Sequence, residues 1–485
     1  MRGNPQLEHV VRRMGFGATA QELSYFDDAP IQSVVNILLD YERVIDDPDA
    51  HIGDSAYVGV TTRGQFSPNT VINDARQREL FRMIHSLRPL QEKMALFWHN
   101  HFATAYSKVA GTVGGEHGTR LMAGKPSESP GGQRGQYQLF RDMATGNFRD
   151  LLAEVARDPA MVIWLDSRLN TRTRPQENFG REIMELFTMG VGNYTEADVV
   201  AAARVFTGFN IRVVGDRRSA ATSYYEFIFN EGNHDTNAKE FTFPIYPDGG
   251  RTIPARPASQ GLQDAADFIN ALARHPATAN RLARKLFNYF VSELYEPDPE
   301  WISQLATVYL QNNFSIKAML RHLFAQPYFL DPAAAFSRYA WPIEYVVRAI
   351  KETGYTGLSV DAAMTPLVNM GQQLFEPPDV NGWALGAEWF STASMLARMN
   401  FAATLMSNQK FNLGREAQPY RQSPERILDY MLNRFEFAPM SGDVYQALRD
   451  YARGGSAWTG ADAQVNNKAA GIARLIVASG EYQFN

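Results

Sequence analysis

The sequence contains no cysteine among its 485 residues. Disulfide bonds, thiolate metal ligands and thiol nucleophiles are therefore excluded from every hypothesis about its fold and chemistry. It also lacks a net positive charge, since 47 Lys and Arg against 52 Asp and Glu give a formal net charge of -5. Because such a chain has no general attraction for polyanions, we do not expect general nucleic-acid binding.

Long apolar runs are missing as well. No stretch approaches the roughly 20 apolar residues of a transmembrane helix, and residues 1–17 do not resemble a signal sequence. We therefore predict a soluble protein without a transmembrane segment. The signatures HExxH, GxSxG, GxxxxGK(S/T) and strand-linked GxGxxG are also absent. Zincin, α/β-hydrolase, P-loop and dinucleotide-binding interpretations thus lose their main support.

The residues that are present predict a mainly α, multi-helical globular protein. Hydrophobic residues make up 45% of the chain and charged residues 20%, which is typical of a globular protein. Helical periodicity dominates most of it. The β-branched and aromatic runs at 209–214 and 223–229 predict a small β-hairpin insertion around residues 209–245. The Gly-, Ser- and Pro-rich stretch 110–136 predicts a flexible surface loop.

This pattern divides the chain into three predicted parts. Residues 1–208 form an N-terminal helical lobe, residues 209–260 a β-hairpin with a His-Asp loop, and residues 261–485 a C-terminal helical lobe. A chain of this length can bury more than one core, so two or three lobes are the expected organisation.

The chemistry is concentrated in residues 177–209, and first in a helix that carries three glutamates. At about 100° per residue, Glu177, Arg181, Glu182 and Glu185 fall within an arc of roughly 140°. Arg181 lies four residues from both Glu177 and Glu185. One interpretation is a solvated face with ordinary ion pairs. The other is a cleft-lining helix for acid–base chemistry, with Glu182 as general acid because it lies farthest around the wheel from Arg181.

The segment QEKMALFWHNHFAT predicts a helix that is buried on all sides, because apolar residues occupy its whole circumference. His99 and His101 lie within it, so something polar must meet this helix inside the protein. Two histidines at i, i+2 are about 200° apart and cannot share a metal unless the helix ends there. They are either hydrogen-bonded core residues or, with His234 and Asp235 on a later loop, ligands of zinc, iron or copper.

The loop PPDVNGWALGAEW contributes Trp383 and Trp389. Their rings either stack on a sugar or another flat ligand, as substrate-binding residues, or pack the loop onto the helical body.

Seven motifs occur in one order along the chain, and together they resemble the bacterial family called domain of unknown function 1800. They lie at 9–19, 92–104, 146–166, 177–209, 234–241, 281–291 and 370–401. The resemblance implies that the glutamates, Arg181, both HNH histidines, His234 and Asp235 match motif positions. It also implies a periplasmic or secreted protein, although this chain carries no signal peptide, and it implies no settled activity.

Three functions are compatible with these residues. The first is a hydrolytic enzyme that acts on an extracytoplasmic glycan or other polymer through Glu182 and Glu185. The second is a metal-dependent oxidoreductase or hydrolase, whose zinc, iron or copper is bound by some of His99, His101, Glu182, Glu185 and His234. The third is a non-catalytic binding or assembly protein, in which Arg181 belongs to a structural network. We expect His99 or His101 to be the interior partners of the charged face.

Overall fold

The computed structural model describes residues 4–407 and 413–485. Helices account for most of the described chain, as the periodicity predicts. In chain order the α-helices are α1 (Pro5–Met14), α2 (Ala20–Phe26), α3 (Ile31–Leu39), α4 (Ile72–His85), α5 (Pro89–His101), α6 (Tyr106–Val113), α7 (Gly115–Ala123), α8 (Gln136–Asp142), α9 (Phe148–Arg157), α10 (Pro159–Trp164), α11 (Asn178–Glu185), α12 (Glu196–Val205), α13 (Gly261–Arg274), α14 (Pro276–Phe290), α15 (Pro299–Gln311), α16 (Ile316–Phe324), α17 (Pro327–Leu330), α18 (Pro342–Thr353), α19 (Met364–Asn369), α20 (Thr392–Ser407), α21 (Leu413–Ala417), α22 (Pro424–Arg434), α23 (Gly442–Arg453) and α24 (Asp462–Ala478).

The predicted β-hairpin is confirmed. Strands β1 (Phe209–Val214) and β2 (Tyr224–Phe229) pair antiparallel, with Phe209 opposite Phe229. A second antiparallel pair joins β3 (Lys239–Glu240) to β4 (Thr252–Ile253). These two small sheets interrupt an otherwise helical fold, so the predicted fold class is correct. No helix in the described ranges is both long and apolar enough to cross a membrane.

The predicted loop at 110–136 is wrong for its first half, where the structure has α6 and α7. Apolar residues of both helices, among them Val113 and Leu121, are buried. A Cβ at Gly118 would lie 2.8 Å from the Cα of Ala110, so this glycine lets the two helices approach closely. The glycine content that suggested a loop therefore serves helix packing.

Helix α5 lies in the interior, as its sequence predicts. Its side chains from Met94 to His99 are all buried, and the helix packs against α8. It ends at His101, and its last turn carries the HNH triplet into contact with three different parts of the chain. Burial on all sides thus makes α5 a common support for segments that are distant in sequence.

The glutamate helix α11 packs tightly on α12. A Cβ at Gly180 would lie 2.9 Å from the backbone nitrogen of Ala203, so only glycine permits this approach. Thr195 and Asp198 form a capping box that starts α12, in which each side chain bonds the backbone N–H of the other. This packing fixes which face of α11 is left for solvent.

Candidate functional site

The outer part of the charged face on α11 is a set of surface ion pairs. Arg181 forms a two-pronged pair with Glu196, at 2.8 and 2.7 Å, and a weaker contact with Glu177 at 3.2 Å. Glu177 and Glu196 are exposed. The hydrogen bond from Arg181 lowers the pKa of Glu196. The partners of Arg181 are thus other surface residues, and the expectation that a histidine meets it is wrong.

The inner part of the face holds Glu182 and Glu185, which are both half-buried. Burial first, and then the neighbouring charge of Glu185, raise the pKa of Glu182, while Arg181 opposes that rise. Glu185 accepts a hydrogen bond from the hydroxyl of Tyr194. Desolvation and this bond raise the pKa of Tyr194 to about 12, so the tyrosine acts as a donor at neutral pH.

Two cations of α14 lie beyond Glu185. Arg281 donates to the carbonyl oxygen of Leu186 at 3.3 Å, directly after the end of α11. Desolvation lowers the pKa of Arg281, and the negative charge of Glu185 opposes this shift. One helical turn later, the Nζ of Lys285 donates to Nδ1 of His101 at 3.0 Å. Burial, and then the charge of Arg281, lower the pKa of Lys285 to about 7.

His101 completes this arrangement. Its Nε2–H donates to the carbonyl oxygen of Phe187 at 3.0 Å, which leaves Nδ1 to accept from Lys285. Burial, and then the charges of Lys285 and Arg281, lower the pKa of His101 well below its usual value, so the ring is neutral. His101 thus reaches the end of α11 through Phe187 instead of through Arg181.

We call Glu182, Glu185, Arg281, Lys285 and His101 the Glu185–Lys285 cluster. Its members come from α5, α11 and α14, and each lies close to the next. The sequence analysis identified the glutamates and the histidine but missed Arg281, Lys285 and Tyr194. The motif at 281–291 could have indicated the two cations, because its arginine and lysine are four residues apart and share one helix face.

His99 lies elsewhere in the core. Its Nε2 accepts the backbone N–H of Phe375 at 3.0 Å, and its ring packs edge-on against Trp383 with centroids 5.0 Å apart. Burial lowers its pKa to about 3. Its Nδ1 is buried without a hydrogen-bond partner in the described part of the chain. This histidine connects α5 to the C-terminal part of the chain and shares no contact with His101.

His234 and Asp235 also have separate partners. The Nδ1 of His234 lies 2.9 Å from the carbonyl oxygen of Thr207, and its Nε2 lies 3.3 Å from a carboxylate oxygen of Asp264. Asp235 accepts two bonds from Arg204, at 2.8 and 3.2 Å. Although burial alone would raise the pKa of Asp235, these bonds lower it to about 2. Both residues tie the loop after β2 to α12 and α13.

These positions do not converge on a metal centre. Within residues 4–407 and 413–485, no group of three or more His, Asp and Glu side chains is arranged to hold a metal ion. His99, His101, His234 and Asp235 instead bond the backbone and side chains named above. In the described ranges, the four predicted ligands thus lie apart and have other partners.

Trp383 and Trp389 are buried, each with 3% of its surface exposed. The backbone N–H of Trp383 donates to Oδ1 of Asn100 at 2.7 Å, and Gly382 before it has a φ of +89°. A Cβ at Gly382 would collide with Asn100, so the turn needs glycine. Because neither indole presents a face to solvent, their burial supports the packing interpretation over stacking on a ligand.

The comparisons with known proteins agree with the order of the motifs. Residues 9–484 match one protein family, which is described as a protein of unknown function (DUF1800). No curated protein and no solved structure matches the chain. Since the match spans nearly the whole sequence, the chain belongs to this DUF1800 family.

Proposed function

We propose that the protein is a hydrolytic enzyme that uses Glu182 and Glu185 as its acid–base pair. The observation that carries the proposal is the half-buried position of Glu182 beside a second carboxylate, which raises its pKa. A carboxyl group that keeps its proton nearer to neutral pH can donate that proton to a leaving group. Glu185 is the second carboxylate of the pair, held by the hydroxyl of Tyr194.

The remaining residues of α11 have supporting roles in this proposal. Arg181 anchors the exposed side of the helix to Glu196 and Glu177, which fixes the direction in which Glu182 and Glu185 point. The reaction class that fits such a pair is hydrolysis of a bond whose leaving oxygen needs a proton, such as a glycosidic bond. The resemblance to this family implies a periplasmic or secreted protein. We therefore propose a glycan or another polymer outside the cytoplasm as the substrate.

The test begins with a screen of polysaccharides and polyesters for released reducing ends or acids. On any substrate that is turned over, we expect Glu182→Gln to lower turnover by about 10²- to 10⁴-fold, the range for loss of a general acid. The matched control is Glu154→Gln on α9, which makes the same change at an exposed, ion-paired glutamate. Both variants should melt at a temperature close to that of the wild type, which shows that a change in turnover does not come from unfolding.

The pH profile gives a second readout. Glu182 is active when protonated, so turnover must fall as the pH rises through its raised pKa, and Glu154→Gln must leave this limb unchanged. Full activity of Glu182→Gln on a substrate that the wild type hydrolyses would remove Glu182 from the mechanism.

A further inference from the structure

Arg281 and Lys285 are neighbouring cations without an acidic partner. They lie one turn apart on the same face of α14 and are both half-buried. No carboxylate oxygen of the described residues lies within 4.0 Å of the nitrogens of either side chain. By contrast, Arg284 on the same helix has an exposed partner in Glu296 at 2.7 Å. Among the cations of α14, the absence of a direct ion pair is thus a property of the two inward residues, Arg281 and Lys285.

Several donors of this pair are unused. Nε of Arg281 is buried without a partner, and the hydrogen bond of this guanidinium to the Leu186 carbonyl is long, at 3.3 Å. Among the described residues, the hydrogen-bond partner of Lys285 is a neutral ring nitrogen, and an ammonium group can donate two further bonds. Glu185 does not supply the missing acceptor, because it forms no direct ion pair with Arg281 or Lys285 and instead accepts a bond from Tyr194.

Cations removed from water are stabilised in folded proteins by anions, and a guanidinium matches an oxyanion with two parallel bonds. Gly190 leaves room beside this guanidinium, since a Cβ there would lie 3.1 Å from Nη1 of Arg281. We propose that Arg281 and Lys285 bind an oxyanion group of the ligand, namely a carboxylate, a sulfate or a phosphate. This proposal names the substrate class of the site proposed above and to that extent rests on it.

His101 positions the amine in this site. Its Nε2–H is committed to Phe187, so Nδ1 can only accept, and it directs one N–H of Lys285 inward. The other N–H groups are then free for the anion. Desolvation and Arg281 have lowered the pKa of Lys285 to about 7, and a bound anion would raise it by stabilising the ammonium form.

The first experiment titrates the purified chain with sulfate, phosphate and acetate by calorimetry at constant ionic strength. We expect saturable binding at one site, with the preferred probe identifying which oxyanion the ligand carries. Arg281→Met and Lys285→Met should each raise the dissociation constant at least about tenfold, or about 1.4 kcal/mol. Arg284→Met is the matched control, and it should bind like the wild type. Loss of binding in Arg281→Met suffices if Lys285→Met does not fold.

The second experiment uses the wild-type chain and needs no variant. Reductive methylation modifies only the neutral amine, so the preferred anion should slow methylation of Lys285 at pH 7 by about fivefold for a pKa rise of about one unit. Lys108, whose accessible amine is ion-paired with Asp166 at 2.8 Å, serves as the internal control, and its methylation should not respond to the anion.

The absence of saturable binding, or equal binding by the wild type and both Met variants, would overturn the anion site. Either result leaves the proposed function standing if Glu182→Gln still abolishes turnover. Conversely, normal anion binding with a fully active Glu182→Gln variant retains the anion site and removes the acid–base proposal. The two ideas are therefore tested by different measurements.

Discussion

Two lysines of this protein have the same lowered pKa of about 7 and lie in different surroundings. Lys93 on α5 is buried and contacts Glu344 at 3.0 Å and the carbonyl oxygen of Gly15 at 2.7 Å. Lys285 on α14 is half-buried, and its hydrogen-bond partner among the described residues is His101. A perturbed pKa therefore does not by itself distinguish a structural lysine from a functional one. The distinction comes from whether the charge already has an acidic partner.

In the Lys93 region, both cations have a carboxylate partner in Glu344. Glu344 accepts two bonds from Arg338, at 2.8 and 2.7 Å, and one from the backbone N–H of Trp341 at 3.0 Å. Burial would raise the pKa of Glu344, but Arg338 and Lys93 hold it at about 2. In the Glu185–Lys285 cluster, Arg281 and Lys285 are half-buried and have no direct ion pair among the described residues. This difference is the reason why we assign the first region to the stability of the fold and propose the second as the ligand site.

The largest effect should come from breaking the ion pairs of Glu344. Glu344→Gln leaves Arg338 and Lys93 buried without their shared anion, and we expect it to lower the free energy of unfolding by about 3 to 5 kcal/mol. Urea unfolding followed by circular dichroism measures the change. The matched variant is Glu185→Gln, for which we expect a loss of less than about 1 kcal/mol because Glu185 is half-exposed. Equal losses in the two variants would show that the regions do not differ as described.

Acid should destabilise the fold through the two buried histidines of α5, His99 and His101. His99 and His101 have lowered pKa values in the folded chain, so their contribution is present above the unfolded value of about 6.5 and is lost as the pH falls below it. At pH 5 we expect a loss of about 2 kcal/mol for each histidine. Urea unfolding at pH 7, 6 and 5 measures how steeply the free energy of unfolding depends on pH.

Replacement of each lysine by methionine should change the free energy of unfolding in opposite directions in the two regions. Lys285→Met removes a desolvated cation beside Arg281, and we expect it to raise the free energy of unfolding by about 1 kcal/mol. Lys93→Met removes one of the two cations that neutralise Glu344, and we expect a loss of at least about 1 kcal/mol. A larger loss for Lys285→Met than for Lys93→Met would mean that the half-buried lysine is mainly structural.

The smallest effect should come from the surface ion pairs of α11. Arg181→Gln removes the contacts with Glu196 and Glu177, which are exposed and screened by salt. We therefore expect it to change the free energy of unfolding by less than about 1 kcal/mol. In 1 M NaCl, the difference in the free energy of unfolding between Arg181→Gln and the wild type should become smaller still, because salt screens exposed ion pairs. A loss of more than about 2 kcal/mol would assign Arg181 a structural role beyond these pairs.

Periodicity and composition predicted the fold class and the β-hairpin correctly, because the patterns behind them are local. They failed at 110–123, where glycine content indicates a loop but Gly118 serves close contact between α6 and α7. They also identified Glu182, Glu185 and His101 without showing that these residues belong together. Arg281 and Lys285 went unnoticed because a helix with two cations looks like any solvated helix until its neighbours are known. The division of the chain at residues 208 and 260 stays a prediction.

The sequence by itself determined that the protein is helical, that α5 is buried and that one face of α11 is charged, since each follows from residues a few positions apart. Only the tertiary structure decided which charges are neutralised. It placed Arg181 against Glu196, buried both tryptophans of the C-terminal loop, and brought His101 to Lys285 across 184 positions of the chain. Electrostatic compensation depends on distance in space, and spacing along one helix carries no information about the charges on the next.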